Sequence, residues 1–325
     1  MLGFFLRRLL QSVTVLFAMS ALVFAGVYAI GNPVDILINP QADQAEIARA
    51  TAALGLDQPP WRQYWTFLSG AFAGELGKSF VSNVPAVHLI LERMPATVEL
   101  ALTATLIAIG LGIPLGLLAG LKPESWFGRA IMAGSILGFS LPTFWVGLML
   151  IMVFSVELGW LPATGRGATV DVLGVEVSVL TWDGIRHILM PATNLALFKL
   201  SLLIRLTRAG TREALAQDYV RFARAKGLSM RRVVRVHVLK NILIPIVTVI
   251  GLEFGSVIAF AIVTETIFAW PGMGKLLIDS INVLDRPVIV AYLLIIVALF
   301  VLINFLVDLA YTALDPRVRL AGRTS

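Results

Sequence analysis

Residues 9–30 read LLQSVTVLFAMSALVFAGVYAI, an apolar run broken only by Gln11, Ser12, Thr14 and Ser20. A helix needs roughly 20 such residues to cross the hydrocarbon core of a bilayer, and this stretch supplies them. Arg7 and Arg8 stand just before it and mark its inner end. A cleaved signal peptide would carry an apolar region of about 7–15 residues followed by a small-residue cleavage site. The longer run predicts a retained first transmembrane helix.

The rest of the chain agrees with that reading. Hydrophobic residues make up 58% of the 325, charged residues only 14%, and the mean hydropathy is +0.86. Soluble domains are about 45–50% apolar and about 25% charged, so this much apolar surface calls for lipid. Five more spans are predicted, over 96–121, 129–156, 186–207, 242–268 and 287–311. Gly110, Gly112, Pro114, Gly116, Pro142 and Pro191 fall inside them. Membrane helices accept such residues, because small side chains let backbones approach and neighbours satisfy freed carbonyls. The fold class is therefore an all-α polytopic membrane protein with six transmembrane helices.

Positive charge sets the orientation. Arg7 and Arg8, Lys122 and Arg129, the segment Arg205–Lys240, and the tail with Arg317, Arg319 and Arg323 fall on one face, holding seventeen of the 26 Lys and Arg residues. The positive-inside rule puts that face, and both termini, in the cytoplasm. Cysteine is absent and the three histidines are scattered, which argues against disulfides, thiol chemistry and a histidine metal centre. No cluster of acids, histidines and a nucleophile suggests a membrane-embedded enzyme, and nothing points to nucleic acid.

Two outer segments are sizeable. Within 32–95, helix-like stretches at 44–54 and 61–72 flank the turn-rich Gly55-Leu56-Asp57-Gln58-Pro59-Pro60. Within 157–182, residues 170–179 alternate at period two around Gly174, which predicts a short outer β-hairpin.

The cytoplasmic loop between the fourth and fifth spans is the most informative part. Asp218-Tyr219-Val220-Arg221-Phe222-Ala223-Arg224-Ala225-Lys226-Gly227-Leu228-Ser229 reads as one short helix, with Asp218 as N-cap and Gly227 just past its end. At helical spacing Tyr219, Phe222 and Ala223 share an apolar face, and Arg221 and Arg224 point the other way. Ser229 is placed to cap a second helix that returns to the bilayer at Ile242. Two readings stand: a basic loop touching anionic lipid, or a docking element carrying force from a soluble partner.

That loop, with His237, Asn241 and Pro245 after it, closely resembles the EAA loop of ABC importer permeases. It is most similar to the dipeptide/oligopeptide/nickel family, in its B-type subunit. The resemblance covers nearly the whole chain. It includes Leu54-Gly55-Leu56-Asp57-Gln58-Pro59, Gly159-Trp160-Leu161-Pro162, and Glu265-Thr266-Ile267-Phe268-Ala269-Trp270-Pro271-Gly272-Met273-Gly274. Two departures stand out. Arg221, Phe222 and Ala223 occupy the positions of the general Glu-Ala-Ala pattern, and Ile30-Gly31-Asn32-Pro33 replaces the family's Pro-Gly-Asp-Pro.

The resemblance implies an ABC importer type I permease-like fold in the bacterial cytoplasmic (inner) membrane. It implies a second, C-type permease subunit, two cytoplasmic ABC ATPases that hold ATP and Mg, and an extracytoplasmic substrate-binding protein. The chain lacks a phosphate-binding Gly-x-x-x-x-Gly-Lys-Ser/Thr loop, so it carries no cofactor and is not itself an enzyme. The expected substrate is a dipeptide or oligopeptide; glutathione, a nickel chelate or another small polar solute is the alternative, and a secondary transporter is the alternative of another class.

The implied layout is 1–31 for the N-terminus and first helix, 32–95 outside, 96–311 for the five-helix core with the coupling loop at 209–241, and a cytoplasmic tail at 312–325. Asp218, Tyr219, Arg221, Phe222, Ala223, Arg224, Lys226 and Gly227 would form the ATPase-coupling element. Glu265, Trp270, Pro271, Gly272, Met273 and Gly274 would form an outer gate facing the binding protein, with Trp270 at the membrane interface.

One expectation lies outside the family pattern. Lys199 in the fourth span and Glu253 in the fifth stand where apolar or small residues and glutamine look typical. At about 1.5 Å per residue they lie about 12 Å and about 16 Å from the inner ends of their spans. Opposite charges at similar depth predict a pair across the two helices, or joint lining of a cavity where they meet the charged ends of a peptide; the alternative is that Lys199 snorkels toward the cytoplasm while Glu253 meets water separately.

Overall fold

The computed structural model describes residues 2–29, 43–53 and 57–314. The Ile30–Pro33 turn, Leu54–Leu56 and the tail from 315 onward lie outside the described residues. The chain divides into two compact units, one formed by Met1–Pro95 with Pro271–Ser325, the other by Ala96–Trp270.

In the first unit, α1 spans Leu2–Ala29, followed by α2 (Gln44–Ala53) and α3 (Pro60–Phe72). Pro60 opens α3, where a missing N–H costs nothing. Aromatic packing joins α3 to α1: the Tyr64 ring lies 5.3 Å from that of Phe24, Phe67 stacks on Phe24 at 6.0 Å, and Ser20 Oγ lies 2.9 Å from Tyr64 Oη. Tyr64 packs its ring against aromatic neighbours and still satisfies its hydroxyl. The unit also holds α11 (Met273–Asn282) and α12 (Arg286–Leu314), and α12 packs on both α1 and α11. Just before α12, the buried Asp285 accepts from Ser79 Oγ at 2.5 Å and from Phe80 N at 3.0 Å, which fixes the turn leading to the second span.

That second span is the helix α4, Ala86–Leu121, which starts ten residues earlier than the sequence expectation at Ala96. In the second unit α4 meets α7 (Trp182–Ala216) along a glycine ridge. A Cβ built on Gly112, Gly116 or Gly120 would stand 2.8 Å from Leu203 Cβ, 2.5 Å from Thr207 Cβ and 2.7 Å from Thr211 Cβ respectively. Spacing of four puts the three glycines on one helical face. Their missing side chains bring the two backbones together, the usual device where lipid removes the hydrophobic drive between helices.

The third span is not straight. α5 (Trp126–Ser140) and α6 (Thr143–Leu150), the latter continued by a π-helical turn to Glu157, are bent by 107° across Leu141-Pro142. Proline lacks the N–H that would continue the ladder, and the residue before it is driven to extended backbone; Leu141 has ψ 134°. The predicted hairpin is present, with β1 (Val170–Val172) and β2 (Val175–Val177) antiparallel and Val172 opposite Val175. Its turn residues Leu173 and Gly174 both have positive φ, 56° and 83°, the geometry that matches strand twist in a two-residue loop.

The predicted coupling segment follows as α8 (Asp218–Ala225) and α9 (Met230–Val233), whose helical backbone continues into α10 (Leu239–Ile267). Among the described residues, four helices are long and apolar enough to cross a membrane, or five if the bent pair is one span; α1 carries the shorter apolar run Leu10–Gly26. Leu106, Phe260 and Leu302 are exposed on the long helices, as lipid-facing positions are.

Candidate functional site

The predicted coupling helix, α8, is closed at its C-terminus by a complete left-handed cap. Gly227 has φ +78°, its N–H donates to Arg224 O at 2.9 Å, and Leu228 N–H donates to Ala223 O at 3.3 Å. These two bonds satisfy carbonyls the helix end would otherwise orphan. At the other end the expectation needs correcting: Gln217, not Asp218, is the N-cap, with φ −73° and ψ 148°, and no side chain caps the helix. Asp218 is the first helical residue, where its negative charge favours the N-terminal end of the dipole. Gln217 is also the C-cap of α7, so a single residue separates the two helices. Ser229 occupies an N-cap position, but its side chain makes no capping bond.

The packed face also differs from the expected one. Val220 and Ala223 are buried within the chain, whereas Tyr219 is exposed and Phe222 is 65% exposed. Helical phase puts Val220 and Ala223 three apart on the inner face and turns Phe222 outward. Arg221, Arg224 and Lys226 are exposed; Arg221 Nη1 lies 3.6 Å from Asp218 Oδ1, and Lys226 Nζ sits 4.7 Å from the Phe222 ring centre. The motif residues beyond the loop have a direct part in holding it. Asn241 Nδ2 donates to Tyr219 Oη at 2.9 Å and to His237 O at 2.7 Å, and the His237 and Tyr219 rings are 6.4 Å apart. The start of α10 therefore grips α8 through Tyr219.

Lys199 and Glu253 are brought together. Each is the central residue of its helix, α7 and α10, and Lys199 Nζ forms an ion pair with Glu253 Oε2. Lys199 Nζ also donates to Ser256 Oγ at 2.9 Å, and Ser256 Oγ lies 2.7 Å from Glu253 O and 3.0 Å from Glu253 Oε2. Sequence reasoning missed Ser256, although its place three residues after Glu253 puts it on the same helical face. The group opens on a cavity otherwise lined by residues such as Thr105, Ala108, Leu203, Phe254 and Val257.

The predicted gate residues divide between the two units. In the second, Glu265 and Trp270 are both 0% exposed. Glu265 Oε1 accepts from Thr97 Oγ1 at 2.6 Å, and Trp270 Nε1 donates to Ala96 O at 2.9 Å. Trp270 is thus a buried core residue and not the interfacial anchor expected from its neighbourhood. Ala269, with φ +45°, turns the chain so that Trp270 N–H reaches back to Glu265 O at 2.8 Å. In the first unit, Pro271 precedes the N-cap Gly272, and Met273 and Gly274 open α11 with both side positions buried. On the exposed face of α11, Lys275 Nζ pairs with Asp279 Oδ2 at 2.7 Å.

A further polar cluster escaped the sequence reading. Glu99 and Arg166 form an ion pair at 2.6 Å, with side chains 8% and 13% exposed. Glu99 Oε1 also accepts from Ser178 N at 2.6 Å and Val179 N at 2.9 Å, and Arg166 donates to Glu176 O at 2.5 Å. The arrangement fastens the hairpin to α4. The one sequence signal was an acid just inside an apolar span, which needs a partner.

Comparison with known proteins places this architecture. The model of the "Binding-protein-dependent transport system inner membrane component" family matches residues 112–320, and that of its N-terminal part matches residues 1–101. The chain is 41% identical to the di/tripeptide transport system permease protein of Pseudomonas aeruginosa (strain UCBPP-PA14), over 98% of this chain and 99% of that protein. It is 39% identical to the dipeptide transport system permease protein of Escherichia coli (strain K12), with the same coverage. It is also 39% identical to the glutathione transport system permease protein of Escherichia coli O6:H1, again over 98% of this chain and 99% of that protein. Among solved structures, a chain of the MetNI methionine ABC transporter in inward-facing conformations matches with TM-score 0.52 and 16% identity, covering 70% of this chain and 96% of its own; that likeness concerns the fold. The chain thus belongs to the family of inner-membrane components of binding-protein-dependent transport systems, an ABC importer permease.

Proposed function

We propose that this chain is one of two permease subunits of an ATP-driven importer of dipeptides and oligopeptides, paired with a C-type subunit. The observation that carries the reading is the resemblance to peptide permeases along 98% of the chain. Two cytoplasmic ABC ATPases would bind ATP and Mg, and an extracytoplasmic binding protein would deliver the peptide. This chain holds no cofactor and contributes the path. Both termini and the 209–241 loop lie in the cytoplasm, the 32–95 segment lies outside, and 96–311 forms the core.

In this scheme α8 is the contact with one ATPase. The exposed Phe222 and Tyr219 offer an apolar surface to it, and Arg221, Arg224 and Lys226 surround that surface with positive charge. Such a pairing works as a bistable element biased by nucleotide on one side and loaded binding protein on the other. The 265–274 segment serves as the outer gate from within, through its buried residues, and α11 offers its Lys275–Asp279 face to the binding protein. Similarity to the glutathione permease favours a second reading, in which glutathione is the transported peptide.

The test is purification of the tagged chain from its native membrane, followed by reconstitution in vesicles. Recovery of two ATPases and a second permease, with ATP-dependent uptake of labelled dipeptide, is the expected result. Stronger uptake of glutathione would select the second reading. Uptake by the chain alone, without ATP, would make it a secondary transporter and end the proposal.

A further inference from the structure

Charges at the middle of a membrane helix are expensive, and an apolar pair of similar volume would pack there at no loss of stability. Lys199 and Glu253 nevertheless occupy the central positions of α7 and α10, and they meet at the edge of a cavity whose other walls, Thr105 apart, are apolar. The acid is the more open of the two: its side chain is 37% exposed, that of Lys199 15%.

We propose that Lys199, Glu253 and Ser256 form a subsite for the two charged ends of a zwitterionic peptide during its passage, an inference that rests on the peptide-import reading. Glu253 takes the ammonium end of the ligand and Lys199 its carboxylate end, so the internal ion pair is exchanged for two pairs with the ligand. Charge balance favours this exchange. The resting pair is neutral, and a zwitterion inserted between the two residues keeps the site neutral. A ligand with a single charge leaves one residue unpaired in a medium of low dielectric, which is costly.

Ser256 makes the exchange gradual. Its hydroxyl already accepts from Lys199 Nζ at 2.9 Å and lies 3.0 Å from Glu253 Oε2. When the two charges part, Lys199 therefore keeps one hydrogen-bond partner. The Phe198 ring, 5.3 Å from Lys199 Nζ, provides a second favourable neighbour for the ammonium.

The test uses the complete membrane complex with its ATPases and without binding protein, so that the selectivity of that protein does not enter. Equilibrium binding is measured for a zwitterionic dipeptide, its N-acetyl form (an anion) and its C-terminal amide (a cation). The wild-type complex should prefer the zwitterion by tenfold or more. Glu253→Gln should shift the preference to the N-acetyl peptide, Lys199→Gln should shift it to the amide, and the neutral double variant should reduce the zwitterion's advantage to less than twofold.

A purely structural pair would alter assembly without inverting the order of ligands. If the single variants fail to assemble, the charge-balanced double variant decides: a retained tenfold preference for the zwitterion overturns the proposal. A wild-type complex that binds the three ligands equally also overturns it. Failure of ATP-dependent peptide uptake in the wild type would instead refute the peptide-import reading, whatever the variants do.

Discussion

The contact between α4 and α7 allows a sharp test, because this helix carries its own control. At Gly116 an added Cβ would stand 2.5 Å from Thr207 Cβ and 2.7 Å from the backbone oxygen Ile204 O, whereas at Gly110 nothing lies within 4 Å. Gly116→Ala must therefore push two helix backbones apart, and overpacking of this kind costs about 1–3 kcal/mol. Alanine returns up to about 1 kcal/mol through helix propensity. With the full propensity gain, the net effect is a loss of up to roughly 2 kcal/mol at Gly116, and about 1–3 kcal/mol relative to Gly110→Ala, which shares that gain. Gly110→Ala collects the propensity gain with no clash and should be neutral or stabilising. Each kcal/mol moves the unfolding midpoint by roughly 2–4 °C in a unit of this size, so Gly116→Ala should melt up to about 8 °C below wild type and roughly 2–12 °C below Gly110→Ala. The assay is thermal unfolding in one detergent at one scan rate, followed by intrinsic fluorescence and by loss of monodispersity. If Gly116→Ala melts at or above Gly110→Ala, the close approach of α4 and α7 is not what holds the second unit together.

Three other expectations concern the coupling loop, the outer face and the gate. Gly227→Val forces a β-branched residue into a φ of +78°, where left-handed backbone costs roughly 1–2 kcal/mol for ordinary residues; transport per ATP hydrolysed should fall several-fold, and an unchanged ratio in vesicles would show the cap to be irrelevant to coupling. Glu99→Gln breaks a nearly buried ion pair, a change worth about 3–5 kcal/mol when one partner is removed, and hydrogen exchange should rise in 166–181 before it rises in α10; uniform exchange would count against a hairpin anchored by Glu99. A cysteine at the exposed Asp279 should react with a membrane-impermeant maleimide added from outside, and one at the buried Met273 should not; equal labelling of the two would contradict the packing of α11.

Much of the fold was legible because the bilayer imposes length. Runs of about 20 apolar residues have one economical structure in lipid, so the long helices were readable from residue type alone. The hairpin was readable from its alternation and from the glycine at its turn. Two departures from the sequence reading, at Trp270 and in the packed face of α8, share one cause, which is tertiary partnership invisible to a local pattern. Trp270 has the composition of an interfacial anchor, yet its indole N–H finds Ala96 O and the ring is enclosed. Phe222 fits an apolar stripe, but the face that packs is set by which neighbours are present, and these select Val220 and Ala223. The Lys199–Glu253 approach was legible because charge inside a span demands compensation. Ser256 was not, since serine is unremarkable in a membrane helix until its partner's position is known. Glu99 and Arg166 lie 67 positions apart, too far for any spacing rule to join them.

The joint at Gln217 fixes how motion can pass along this chain. One residue ends α7 and begins α8, and because peptide units are planar it supplies only two soft torsions. A connection of several residues would behave as a slack tether and absorb a push in its own rearrangement. Two torsions leave little to absorb, and Val220 and Ala223 bury the first turns of α8 and remove more of that freedom. A sideways displacement of the short helix is then met as torque at the end of a rod 35 residues long. Lys199 sits halfway along that rod, about 26 Å from its C-terminal end at about 1.5 Å per residue. A tilt of about 5° about that end would move Lys199 by about 2 Å, comparable to the difference between an ion pair made and one broken.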